Sequence, residues 1–120
     1  MNPCKELSLT LPLPPTINSY YQYHGHRRYI GSKGLQFKKT VAHIVSLSKA
    51  NFGSNRLSLY VTINFADRRK ADISNRIKAL EDALCQAGLF EDDSQIDILV
   101  INRGQIIKGG SVLVTIKSID

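Results

Sequence analysis

The sequence predicts one α+β domain over residues 1–120, an α/β-like mixed sheet of about four strands plus a basic aromatic hairpin, packed by two main helices. Three observations carry that prediction. Four runs rich in β-branched residues alternate apolar and polar positions. Two longer segments repeat apolar residues at helical spacing. No linker, repeat or low-complexity stretch interrupts the chain, whose length suffices for a single core.

The first strand is expected over residues 6–11, where Leu7, Leu9 and Leu11 alternate with polar neighbours, and Pro12, Pro14 and Pro15 end it. The segment YYQYHGHRRYIGSKG then predicts a hairpin or loop around His24-Gly25-His26. A helix follows over residues 32–50, with Leu35, Val41, Ile44, Val45 and Leu47 as expected core contacts and Lys33, Lys38, Lys39 and Lys49 outside. Residues 57–65 read as the second strand. The next helix, over residues 74–87, places Ile73, Ile77, Leu80 and Leu84 on one apolar face and Asn75, Lys78 and Asp82 opposite, with Ser74 as its N-cap. Gly88 stops it. Strands over residues 96–103 and 111–117 close the domain, the last preceded by the flexible pair Gly109-Gly110.

Charge points to an anionic partner. The net charge is +6, yet residues 7–66 contain no Asp or Glu while holding Arg27, Arg28, Lys33, Lys38, Lys39, Lys49 and Arg56. Eight of the ten acids fall within residues 67–97. Base in one region and acid in another suit a protein that grips phosphates with its cations and holds a metal among its carboxylates. The Tyr-rich hairpin offers rings that stack on exposed bases beside Arg27 and Arg28; the alternative is that Tyr20, Tyr21, Tyr23 and Tyr29 pack on the sheet. His24 and His26 lack the cysteine or spacing of a zinc site.

The stretch DRRKADISNRIKALEDALCQAGLFEDD, residues 67–93, carries the chemistry. Asp72 stands at a helix entrance, and a tight return after Gly88 would bring Asp93 beside it. Two carboxylates held together need a cation between them, and oxygen-only ligands select a hard ion, so Mg²⁺ is the expected cofactor, with Mn²⁺ as a substitute. Lys78 would steady developing charge or orient a water. Arg68, Arg69 and Lys70 would hold flanking phosphates, or else keep a sheet edge soluble. Equally, Asp72 would be a helix cap and the later acids a solvated loop.

The pattern D-x-S-N-x-x-K-x-x-x-D-A-L, followed by A-G-L-F-x-D-D-S-Q-I, resembles the RusA family of Holliday junction resolvases of bacteria and their prophages. LTLPLPPTINSYY resembles the family's opening strand and Pro-Pro turn, and KGGSVLVTI its closing strand. The resemblance implies that Asp72 and Asp93 are metal-binding acids, that Lys78 is the catalytic lysine and that Asn75 belongs to the same motif; Asn75 and Arg76 are also expected to contact DNA. One position departs: the family's usual D-x-D-N reads Asp72-Ile73-Ser74-Asn75, so Ser74 marks a lost ligand position. Asp92 would substitute for it, or the substitution marks an inactive form.

The expected function is therefore Mg²⁺-dependent cutting of four-way DNA junctions by paired symmetric nicks. The alternative is a junction-binding protein of the same fold, impaired at Ser74, and a general RNA-binding module is a third reading. Two symmetric cuts require a two-fold homodimer, whose surface would involve strand edges or the region of Leu89-Phe90. Cys4 and Cys85 form no disulfide or metal pattern, and no segment spans a membrane, so a cytoplasmic setting is expected.

Overall fold

A computed structural model describes residues 5–119. The elements are β1 (Glu6–Leu11), α1 (Ile17–Tyr20), β2 (Tyr21–His24), β3 (Arg27–Ile30), α2 (Ser32–Ser48), β4 (Arg56–Asn64), α3 (Ile77–Gln86), β5 (Ile96–Arg103) and β6 (Ser111–Ile119). Short 3₁₀ turns, Ile73–Arg76 and Asp93–Gln95, lead into α3 and β5. The four-stranded sheet has the order β1-β6-β4-β5, and β2 with β3 forms a separate hairpin. The mixed α+β architecture is the one the sequence predicts.

Only β5 runs parallel to its neighbour β4; the other pairs are antiparallel. A parallel neighbour requires a crossover rather than a hairpin. The chain between β4 and β5 supplies it, and α3 is its helix. Leu57, Leu59, Val61 and Ile63 alternate along β4 and pack in one core with Val112, Val114 and Ile116 of β6, Phe37, Val41 and Val45 of α2, and Ile77, Leu80 and Leu84 of α3.

The helices depart from expectation at their ends and on one face. Leu35 and Leu47 were expected in the core, but they are 56% and 69% exposed. In α2 the buried stripe runs through Gly34, Phe37, Val41 and Val45, at steps of three and four, and Leu35 and Leu47 fall about 120° from its centre on either side. Gly34 belongs to that stripe because a Cβ there would lie 2.8 Å from Cδ1 of the buried Tyr20, so glycine lets the helix seat against that ring. Nor does α3 begin at a Ser74 cap. Ser74 lies inside the 3₁₀ turn, Asp72 occupies the cap position without a side-chain capping bond, and the helix proper starts at Ile77. The tighter i to i+3 bonding of that turn takes up the orphan donors a cap would otherwise satisfy.

The hairpin is as expected. His24 pairs with Arg27 across a two-residue turn, and Gly25 takes φ +62° at its first position, as primed hairpin turns require. By contrast, Leu89 and Phe90 are buried in the core and are unavailable as a pairing surface. Among the described residues no helix is long and apolar enough to cross a membrane. Cys4 lies outside the described residues.

One buried polar side chain fixes the return from α3. Gln95 donates to the carbonyls of Gly53 and Asn55 at 2.9 and 2.8 Å, and its own carbonyl accepts from the amides of Glu91 and Asp92 at 2.9 and 2.7 Å. Gln95→Ala would strand these four partners, and because they are only part-buried each loss falls at or below about 1 kcal/mol, the low end for an unsatisfied group. We expect a loss of about 3 kcal/mol in denaturant-melting stability; a change within experimental error would mean that water replaces the amide freely.

Candidate active site

Residues one helical turn apart face the same side, so Lys78 and Asp82 meet on the flank of α3 with Nζ and Oδ1 3.1 Å apart. Asp82 also accepts a hydrogen bond of 3.0 Å from the hydroxyl of Tyr20, the buried residue that ends α1. On its other side Lys78 reaches the return loop, where its Nζ stands 3.9 Å from Oδ2 of Asp93. Gly88, with φ +86°, turns the chain after α3, Leu89 and Phe90 anchor it in the core, and Gln95 clamps it. Asp93 thereby comes back beside a helix that ended seven residues earlier.

The electrostatics follow from this crowding. The hydrogen bond to Asp82 is the largest of the influences that raise the pKa of Lys78 above the ordinary lysine range, with Asp93 contributing least, so its ammonium persists at neutral pH. Burial, followed by the nearby charge of Asp93, pushes the carboxyl of Glu81 up. Burial likewise raises the Cys85 thiol, and its Sγ donates to the Glu91 carbonyl at 3.3 Å, consistent with a packing role rather than a nucleophilic one. Asp92 is engaged differently. Its carboxylate accepts from the Ser94 amide at 3.1 Å in a capping box completed by Gln95, and hydrogen bonding from Ser94 holds its pKa below the usual range.

Asp72, Ser74 and Asn75 lie at the mouth of α3. The loop carrying Asp72 is braced by Arg103, which donates to the Ala71 carbonyl at 2.6 Å and lies 4.8 Å above the Phe65 ring. Arg76 covers the same ring at 5.6 Å and donates to the Pro14 carbonyl, so its guanidinium is partly committed to holding the chain. Burial lowers the pKa of Arg76. The carboxylate of Asp67 accepts from the Arg69 amide at 3.0 Å and pairs with its guanidinium at 2.9 Å; Arg68, Arg69 and Lys70 all remain exposed. Arg27 and Arg28 are exposed on the hairpin, with Arg28 lying 4.2 Å over the Tyr21 ring.

The structure thus brings Lys78 to Asp93 and leaves Asp72 at the helix entrance, without an ion-pair partner among the described residues. Among those residues no three His, Cys, Asp or Glu side chains converge where a metal ion could be held. The donors near Lys78 and at the entrance are nonetheless oxygen atoms, the chemistry a hard cation takes. Sequence reasoning placed Asp82 on the right helix face but missed its role; the i, i+4 spacing to Lys78 was the available signal, whereas Tyr20 lies 62 positions away.

The family model described as Endodeoxyribonuclease RusA matches residues 12–117. The chain belongs to that family. It is 34% identical over 116 residues to the crossover junction endodeoxyribonuclease of Enterobacteria phage HK97, covering 96% of this chain and 97% of that one. The corresponding proteins of Escherichia coli strain K12 and Enterobacteria phage 82 are 32% and 33% identical over 110 and 109 residues, and nine-tenths or more of each chain is covered. Within this RusA-family chain the residues from Asp72 to Asp82, all inside the matched span, occupy the cap and 3₁₀ turn and the first turns of α3, where Lys78 and Asp82 pair.

Proposed function

We propose that this chain is an endodeoxyribonuclease that nicks four-way DNA junctions in recombination or repair. The observation that carries the reading is the ammonium of Lys78 held between Asp82 and Asp93, within the motif shared with the RusA family. A protonated lysine beside a scissile phosphate stabilises the charge that develops on its oxygens, and the ion pair with Asp82 holds the Lys78 ammonium in place for that role. Asp82 and Tyr20 keep the lysine aimed. Asp72 and Asp93 are the residues that would hold Mg²⁺ or, in its place, Mn²⁺, and Asp92 would join them only by giving up its hydrogen bond from the Ser94 amide. A divalent ion there supplies polarisation of the phosphate and a water of lowered pKa as nucleophile. Symmetric cutting of a four-way junction needs two such sites, so the working form in this reading is a two-fold homodimer.

Ser74 and Asp92 favour a second reading, junction binding without efficient cleavage. Ser74 contributes a neutral hydroxyl where the family pattern has an acid, and one oxygen of Asp92 is already occupied in capping Ser94. Nicking of a labelled junction dependent on Mg²⁺ supports the first reading; tight, metal-independent binding without nicks supports the second. Preference for structured RNA over branched DNA in competition would remove both.

The basic run supplies a separate prediction. Arg68, Arg69 and Lys70 are exposed beside the Asp72 loop, and cations that contact phosphate release counterions on binding. Neutralising all three should lower the slope of log affinity against log salt by roughly two to three. An unchanged slope in fluorescence-anisotropy titrations would place the run away from DNA.

A further inference from the structure

We propose that the hollow at the root of the β2–β3 hairpin is a subsite for one unstacked nucleobase of the bound DNA, beside the phosphate that Lys78 serves. This rests on the nuclease reading above and adds a base-recognition element to it. The hollow measures about 330 Å³ and is lined by Ile17, Asn18, Tyr21, Gln22, Tyr23 and Arg28. A volume of that order suits a small planar group.

The lining has the chemistry a base requires. Tyr23 pairs directly with Arg28, and Tyr21 lies two residues before Tyr23, so all three project from the same face of the hairpin. Arg28 rests 4.2 Å over the Tyr21 ring, and Tyr23 is 68% exposed, leaving aromatic and guanidinium surfaces open to stacking. Asn18 brings an amide group that can both donate and accept, as the edge of a base demands. A phosphate would use the cation but leave the rings idle. A base uses both.

Position ties the hollow to the reaction. The Tyr21 ring meets the Tyr20 ring edge-on at 4.9 Å, the Tyr20 hydroxyl binds Asp82, and Asp82 holds Lys78. The base subsite is therefore linked to the catalytic lysine through successive direct contacts. The hairpin root is itself fixed, because the Gly31 amide donates to the Tyr20 carbonyl at 3.0 Å. At a branch point, where stacking is already interrupted, drawing a base out of the helix costs least.

A protein–DNA double-mutant cycle tests the assignment. Wild type, Tyr23→Ala and Arg28→Ala are titrated with fluorescent four-way junctions, each missing one base at successive positions around the branch point, in chelator so that binding is read without cleavage. The expected result is one position at or beside the branch point where base removal weakens wild-type binding about tenfold and has little further effect in the variants. Additive losses at every position in folded variants, or coupling confined to positions far along the arms, would overturn the proposal while leaving the nuclease reading intact. Failure of the wild type to bind junctions at all would overturn both.

Discussion

Asp93→Asn and Asp72→Asn are each expected to abolish junction cleavage while leaving junction affinity equal to or above that of the wild type. The amide keeps the shape of the side chain and removes its charge. If these carboxylates hold a cation, the loss should be roughly a hundredfold or more in rate, since Lewis-acid stabilisation is worth several kcal/mol and each ~1.4 kcal/mol is a factor of ten. Binding should not suffer, because a carboxylate near DNA repels its phosphates unless a cation intervenes. Asp93→Asn has a second consequence in this structure: Lys78 loses one of its two carboxylate partners but keeps Asp82 at 3.1 Å, so the lysine stays charged and aimed. Cleavage and gel-shift assays on the same protein preparations separate the outcomes. Parallel loss of binding and cutting would assign the two acids a structural role instead.

The sheet and the hairpin were legible because their signals are local. Alternation along β4 marks its buried residues one by one, and Gly25 between two runs of aromatic and basic residues marks the turn. The way α3 begins was not legible in the same manner. Whether a Ser-Asn segment caps a helix or forms a 3₁₀ turn depends on one hydrogen-bond step, and neither periodicity nor residue type distinguishes i to i+3 from i to i+4 bonding. Leu35 and Leu47 misled for another reason. Hydrophobicity identified them, while the buried face of α2 was decided by the stripe through Phe37, Val41 and Val45 and by the absence of a side chain at Gly34, where the helix seats against Tyr20.

At the site, the motif located Lys78 and the acids but not the group that aims the lysine. The Tyr20 hydroxyl reaches Asp82 only because α1 packs against α2 and α3, a tertiary fact without a local signature. Arg103 and Gln95 are similar cases: Arg103 braces the Asp72 loop from the end of β5, and Gln95, within the Asp93 turn, ties that turn to the carbonyls of Gly53 and Asn55 some forty positions away.

Ser74→Asp is the gain-of-function counterpart. It would add an anionic oxygen two residues after Asp72, inside the 3₁₀ turn, where Ser74 is exposed and the helix N-terminus favours negative charge. Tighter Mg²⁺ dependence and a cleavage rate about tenfold higher are expected if the added charge acts selectively on the transition state. Melting and junction affinity, measured alongside, guard against a trivial gain or loss of folded protein. No gain in a folded, junction-binding variant would show that another group already fills the position or that no cation is held there.

Junction cutting is read on a four-way junction labelled on each strand in turn, incubated with Mg²⁺ and resolved on a denaturing gel beside an Asp72→Asn control. Nicks at symmetry-related positions in two opposed strands, absent with chelator, absent in the control and much weaker on linear duplex, are the predicted result. Intact strands with Mg²⁺ and with Mn²⁺, from protein that is folded and bound to the junction, would contradict the account.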